Sequence, residues 1–158
     1  MSPTYALPDV NAVTQMLSMV FGTATVKPTP PLAAKTGTLI AVYVSDDNIP
    51  VAASLCDPAF AAYAGSALSL VSANDAKKAA SSGKLSDTMQ QNLYEVMNIC
   101  SSLLMSDRTP HLKLDNLYRG PEQLPENARA MLGAVAGRIG FEVTISRYGS
   151  GHLSFLTT

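Results

Sequence analysis

Charge is what this sequence has least of. Lys, Arg, Asp and Glu make up 15% of its 158 residues, against about 25% in a typical soluble domain. Its 11 basic and 12 acidic residues leave a net charge of -1. The cations are dispersed, so no basic patch for nucleic acid is expected. Tryptophan is absent, and the only cysteines are Cys56 and Cys100. They form no CxxC pair and stand among apolar neighbours. That predicts buried free thiols, with no disulfide framework and no metal site. No run approaches the ~18 consecutive apolar residues of a membrane span. The first ten residues have neither a basic start nor a continuous apolar stretch, so no signal peptide is expected. The chain reads as soluble and cytoplasmic, with no membrane partner.

What is present is an ordinary apolar share, 47%. The length predicts one domain over residues 1–158, long enough to bury a real core. With so little charge, the surface is rich in Ser, Thr, Asn, Gln and Ala, which suits contact with a protein partner at low desolvation cost.

Periodicity predicts a first helix over Asp9 to Phe21, capped by Asp9 and stopped by Gly22. Thr23 to Lys27 reads as a short strand, and Pro28 to Pro31 as an extended connection. Thr36 to Ser45 and Val51 to Cys56 read as a hairpin. Asp57-Pro58 opens a helix to about Leu70, since the carboxylate can cap and Pro suits the first turn. A short, alanine-rich helix follows at Asn74–Ser81, broken by Ser82-Gly83, and Ser86 caps a longer helix running to about Met105. His111 to Tyr118 partly alternates as a half-buried strand. Leu124 to Val135 has helical spacing, weakened by Gly133 and Gly137. Phe141 to Ile145 and Leu153 to Leu156 are strands, with Tyr148-Gly149-Ser150-Gly151 as the hairpin turn between them. The predicted class is α+β: an antiparallel or mixed sheet with helices packed on it.

The Ser86–Met105 pattern has two unlike faces. Met89, Leu93, Val96, Met97, Cys100, Leu103 and Leu104 form an apolar band. Asp87, Gln91, Glu95, Asn98 and Ser102 form a polar stripe opposite, at spacings of four, four, three and four. Asn98 is unusual, because its amide competes with the backbone inside a helix. Two readings stay open. The stripe is a solvated face that tolerates an Asn, or Asn98 presents an amide beside the Glu95 carboxylate. Such an amide can orient a water without deprotonating it.

The segment Gln91-Asn92-Leu93-Tyr94-Glu95-Val96-Met97-Asn98 resembles the E-x-x-N helix of the chemotaxis phosphatase family of CheC and CheX. The order of the surrounding elements is similar over most of the chain. The resemblance implies an aspartyl-phosphate phosphatase acting on a phosphorylated response-regulator receiver domain. In that reading Glu95 docks on the receiver's active-site Lys, and Asn98 positions the attacking water. Gln91 and Ser102 flank them as partner-binding residues. The chain needs no cofactor, because the receiver supplies the Mg²⁺. Positioning and charge stabilisation dominate such phosphoryl chemistry.

Two departures matter. The family often has Asp or Ser where Gln91 stands. Some members repeat E-x-x-N on the first helix, where this chain reads Gln15-Met16-Leu17-Ser18. One site is therefore expected, closer to CheX. A homodimer through edge strands is also expected, with Thr36–Ser45 and His111–Tyr118 as candidate edges. The alternative function is a non-catalytic binding or adaptor module of the same fold.

The remaining candidates read as structural. His111 and His152 lack a nucleophile or carboxylate in any motif and are expected as exposed sheet residues. Ser150 lies in no G-x-S-x-G elbow, and Gly65-Ser66 is unremarkable. Gly120-Pro121-Glu122 is a turn without P-loop spacing. Met16, Met19, Met89, Met97, Met105 and Met131 are expected in the core.

Overall fold

The computed structural model describes residues 5–158. In chain order the elements are α1 (Val10–Phe21), β1 (Ala24–Thr29), β2 (Leu39–Val44), β3 (Pro50–Cys56), α2 (Pro58–Ala67), α3 (Ala73–Ser82), α4 (Asp87–Cys100), β4 (Lys113–Arg119), α5 (Glu126–Gly133), β5 (Gly137–Ile145) and β6 (Gly149–Thr157). Local chemistry sets the helix starts. The carboxylates of Asp9 and Asp57 accept the N–H groups of Ala12 and Phe60, both at 2.8 Å. The hydroxyls of Ser72 and Ser86 accept those of Asp75 and Met89 at 3.1 and 3.2 Å. Each bond satisfies a donor that the first helical turn leaves open. Among the described residues, no helix is long and apolar enough to cross a membrane.

The six strands form one sheet in the order β1-β5-β6-β3-β2-β4, and every neighbouring pair is antiparallel. This settles the α+β class and removes the mixed-sheet option. Helices α1 to α4 lie on one face. Their apolar sides, Phe60 of α2 among them, meet Tyr43, Phe141, Leu153 and Phe155 of the sheet in the larger core. The other face is partly covered by α5 and the segment after β1, around Ile40, Val42, Leu55 and Leu156. That segment crosses beneath the sheet. Its Leu32 N–H donates to Ser154 Oγ at 2.8 Å, and a Cβ on Gly140 would stand 2.7 Å from Pro31 Cα.

Several sequence expectations change. β1 runs through Pro28 to Thr29, where an extended connection was expected. Ser146 N–H donates to the Thr23 carbonyl, which sets the alternation and turns Pro28's nitrogen outward on an edge strand. No ladder bond is lost there.

Thr36–Ser45 is not an edge. Its strand, β2, pairs with both β3 and β4. The second proposed edge, β4, does lie at the sheet border, and two of its outward donors are already used. Leu117 N–H goes to Asn116 Oδ1 and Arg119 N–H to Gln123 Oε1, both at 2.8 Å. Such capping blunts an edge against strand addition.

The last hairpin turns at Ser146–Tyr148, ahead of the glycines. Arg147 takes the left-handed conformation at φ 78°. Gly151 instead lies inside β6, where a Cβ would collide with Phe60 of α2.

Helix α4 ends at Cys100, and Ser101–Leu104 continues as one 3₁₀ turn. The methionines also divide. Met89, Met97 and Met131 are buried, whereas Met19 is 87% exposed.

Candidate functional site

Helix α4 is fixed to the rest of the fold on three sides. Met89, Leu93, Val96, Met97 and Cys100 are buried beneath it. On its α2 side, Asn92 Nδ2 donates to the Gly65 carbonyl and to Ser69 Oγ, both at 2.8 Å. Gly65 makes the close approach possible, since a Cβ there would stand 2.5 Å from the Met89 carbonyl oxygen. On the sheet side, the hydroxyl of fully buried Tyr43 donates to the Met97 carbonyl at 2.6 Å.

This rigid frame leaves Asp87, Gln91, Glu95 and Asn98 exposed, as the spacing predicts. Glu95 and Asn98 are about 4.5 Å apart along the axis and about 60° apart around it. Among the described residues, neither side chain is committed to a hydrogen bond or ion pair with another group. The pair is therefore a free carboxylate acceptor beside a free amide that both donates and accepts.

Gln91 and Glu95 share a groove of about 620 Å³ between α4 and β4, with Gln90, Tyr94, Asn116 and Leu117 on its other walls. Asn98 lies outside that groove. Ser102 lies past the end of α4, in the 3₁₀ turn, so it does not continue the α-helical stripe. Its hydroxyl donates to the Ile99 carbonyl at 2.9 Å and stands 4.0 Å from the Met16 sulfur of α1. The tightening that displaces it begins at Ser101, whose N–H and hydroxyl both turn back to the Asn98 carbonyl.

Both histidines have carboxylate partners, contrary to expectation. His111 Nδ1 is 3.2 Å from Asp46 Oδ1, at the exposed β4 border. His152 Nδ1 is 2.8 Å from Asp57 Oδ2, while the other Asp57 oxygen accepts the N–H groups of Phe60 and His152. Asp57 thus ties β6 to the start of α2. Sequence separation of 95 residues hides that pair.

Cys56 and Cys100 are buried and unbridged. Burial, followed by the nearby Asp57 charge, pushes the Cys56 thiol well up, and burial pushes Cys100 up to about 12. Both stay neutral and unreactive near neutral pH. Among the described residues, no group of three or more His, Cys, Asp or Glu side chains converges to hold a metal ion.

Tyr43 and Tyr94 are site residues that the sequence reading passes over. For Tyr43 a signal existed. A tyrosine inside an otherwise aliphatic buried strand needs a partner for its hydroxyl.

No protein-family model and no curated protein matches the chain. Solved structures do. FliM in the FliM–SpeE complex from H. pylori is 10% identical, with a TM-score of 0.63, covering 94% of this chain and 80% of that one. Thermotoga maritima FliY is 11% identical, with a TM-score of 0.58, over 92% and 81%. The CheX–CheY–BeF₃–Mg²⁺ complex from Borrelia burgdorferi gives 10% identity and a TM-score of 0.54, over 92% of both chains. At such identities the likeness is one of fold. The chain has the CheC/CheX-like α+β fold, found in the chemotaxis protein CheX and in FliY and FliM.

Proposed function

We propose that this protein accelerates loss of phosphate from the aspartyl-phosphate of a response-regulator receiver domain, with α4 as the face that enters the partner. One observation carries the reading. Glu95 and Asn98 stand exposed and uncommitted on a helix that is fixed on three sides. Glu95 supplies an acceptor for a cationic side chain of the receiver. The Asn98 amide accepts one hydrogen bond from a water and donates to a phosphoryl oxygen, so it aligns the two without moving a proton itself. The receiver brings the Mg²⁺, which neutralises charge on the phosphoryl group. Hydrolysis then breaks the aspartyl O–P bond, and water supplies the new oxygen of the released phosphate. A solved CheX–CheY complex of the same fold supports a receiver as partner.

A second reading is a binding module without catalysis. Gln91, where the family often has Asp or Ser, and the FliM structures in complex with SpeE and FliG favour it. Phosphate release from a panel of phosphorylated receivers of the same genome separates the two. Faster decay with this chain than without it supports the phosphatase. Binding to a BeF₃⁻-activated receiver without faster decay supports the adaptor.

A further inference from the structure

We infer that Tyr43 is a positioning residue for Asn98, acting through the peptide that joins Asn98 to Met97. The inference rests on the phosphatase reading for its kinetic consequence, but its geometry does not. In an uninterrupted α-helix the Met97 carbonyl would accept the N–H of Ser101, four residues on. Here the Ser101 N–H bonds three residues back, to the Asn98 carbonyl, and the Ser101 hydroxyl reaches the same oxygen at 2.7 Å. The Met97 carbonyl lies in the last turn of α4, beneath a side chain that is 0% exposed. There it accepts the Tyr43 hydroxyl at 2.6 Å, and a carbonyl oxygen has a lone pair for such a bond beside any helical one.

The donor order follows from the chemistry. A carbonyl only accepts, so Tyr43 spends its single hydroxyl proton on Met97. Ser54 Oγ, 2.9 Å away, must then donate to the Tyr43 oxygen. The relay Ser54–Tyr43–Met97 runs from β3 through β2 to the last turn of α4. All three side chains are 0% exposed, so water has no ready access to replace a missing link.

The carbonyl that Tyr43 holds belongs to the same planar unit as the Asn98 nitrogen. Fixing it sets the direction in which the Asn98 Cα–Cβ bond leaves the helix. Without the hydroxyl, the Met97 carbonyl loses its tie to the sheet, and the last turn of α4 can shift and carry Asn98 with it. Glu95 lies upstream of the transition and keeps its place. A water-positioning amide is sensitive to such a shift, because misplacement by about 1 Å can cost 10²-fold in rate.

Tyr43→Phe removes one oxygen and keeps the ring. In the full chain, we expect a cooperative fold by circular dichroism and a changed carbonyl ¹³C shift at Met97, with a shifted side-chain amide signal of Asn98. Affinity for a BeF₃⁻-activated receiver should stay within about twofold, while kcat for dephosphorylation falls about tenfold or more. A loss in kcat without loss of affinity is a readout that general destabilisation would not produce. Should Tyr43→Phe fail to fold, Ser54→Ala, which leaves the bond to Met97 but removes its support, should lower kcat in the same direction by about twofold or more. Wild-type kcat in the folded variant, with the wild-type chain active, overturns the inference. If the wild-type chain hydrolyses nothing, the phosphatase reading fails on its own. In that event unchanged Met97 and Asn98 signals in Tyr43→Phe overturn the positioning inference, and shifted ones support it.

Discussion

Helices α1 and α4 lie on the same face of the sheet, and both bury one side in the same core. Their outward sides differ. That of α4 shows Gln91, Glu95 and Asn98, and its last turn is held to the sheet by a buried hydroxyl. The outward side of α1 shows Gln15 and Met19, with Met16 half-buried. With Ile99 of α4 it forms a shallow apolar groove of about 300 Å³. Ser18, where a second amide would stand, has its hydroxyl 3.4 Å from the Ala24 carbonyl. The two helices thus differ in what they can offer a partner. One presents a carboxylate and an amide with no internal ties, and the other presents no charged group there. Burial alone makes a helix belong to the fold. Function is argued from the groups the fold leaves unused.

The comparison breaks first at Asn98. Asn98→Ala should lower the rate of receiver dephosphorylation by about 10²-fold, the typical loss when one oriented donor is removed from a transition state. Binding of the activated receiver should persist, which a titration with the BeF₃⁻ form would show. Next comes the support. Gly65→Ala places a methyl against the Met89 carbonyl and should cost about 1–3 kcal/mol of stability by overpacking, read as a lower urea midpoint at unchanged slope. Among the described residues, no comparable glycine lies between α1 and another helix, so the loss should fall on the α2–α4 contact.

How far the sequence reveals these features depends on distance along the chain. Asp9, Asp57, Ser72 and Ser86 cap helices three residues away, and their roles were legible because the chemistry is local. The exposure of Glu95 and Asn98 was legible for the same reason: helical spacing sorts a face without reference to the rest of the fold. Pro28 was misread because its tolerance depends on which side of β1 is unpaired. The β2 edge was misread because the chain crosses beneath the sheet between β1 and β2, and no local pattern announces that path. The tie from Tyr43 to the last turn of α4 spans 54 residues, and no local pattern announces it. His152 and Asp57 meet over a still longer span.

Smaller effects sharpen the contrast. Glu95→Ala should weaken receiver binding by about 1 kcal/mol, roughly fivefold, at low salt, the scale of an exposed ion pair. The difference from wild type should shrink as added salt screens the pair. An affinity loss independent of salt would mean that Glu95 acts by something other than its charge. Smallest of all, Met19→Ser on α1 should change stability by less than about 0.5 kcal/mol, with dephosphorylation unaltered. A clear drop in rate there would show that the apolar groove of α1 takes part in docking, and the two helices would no longer differ in role.

The most direct test of the central claim is the ratio of dephosphorylation rate constants for the wild-type chain and Asn98→Ala, measured on one phosphorylated receiver at saturating concentrations of each. A wild-type rate well above the receiver's own decay, with a ratio near 10², is the expected result. A ratio of one, with both rates equal to decay of the receiver alone, would contradict it.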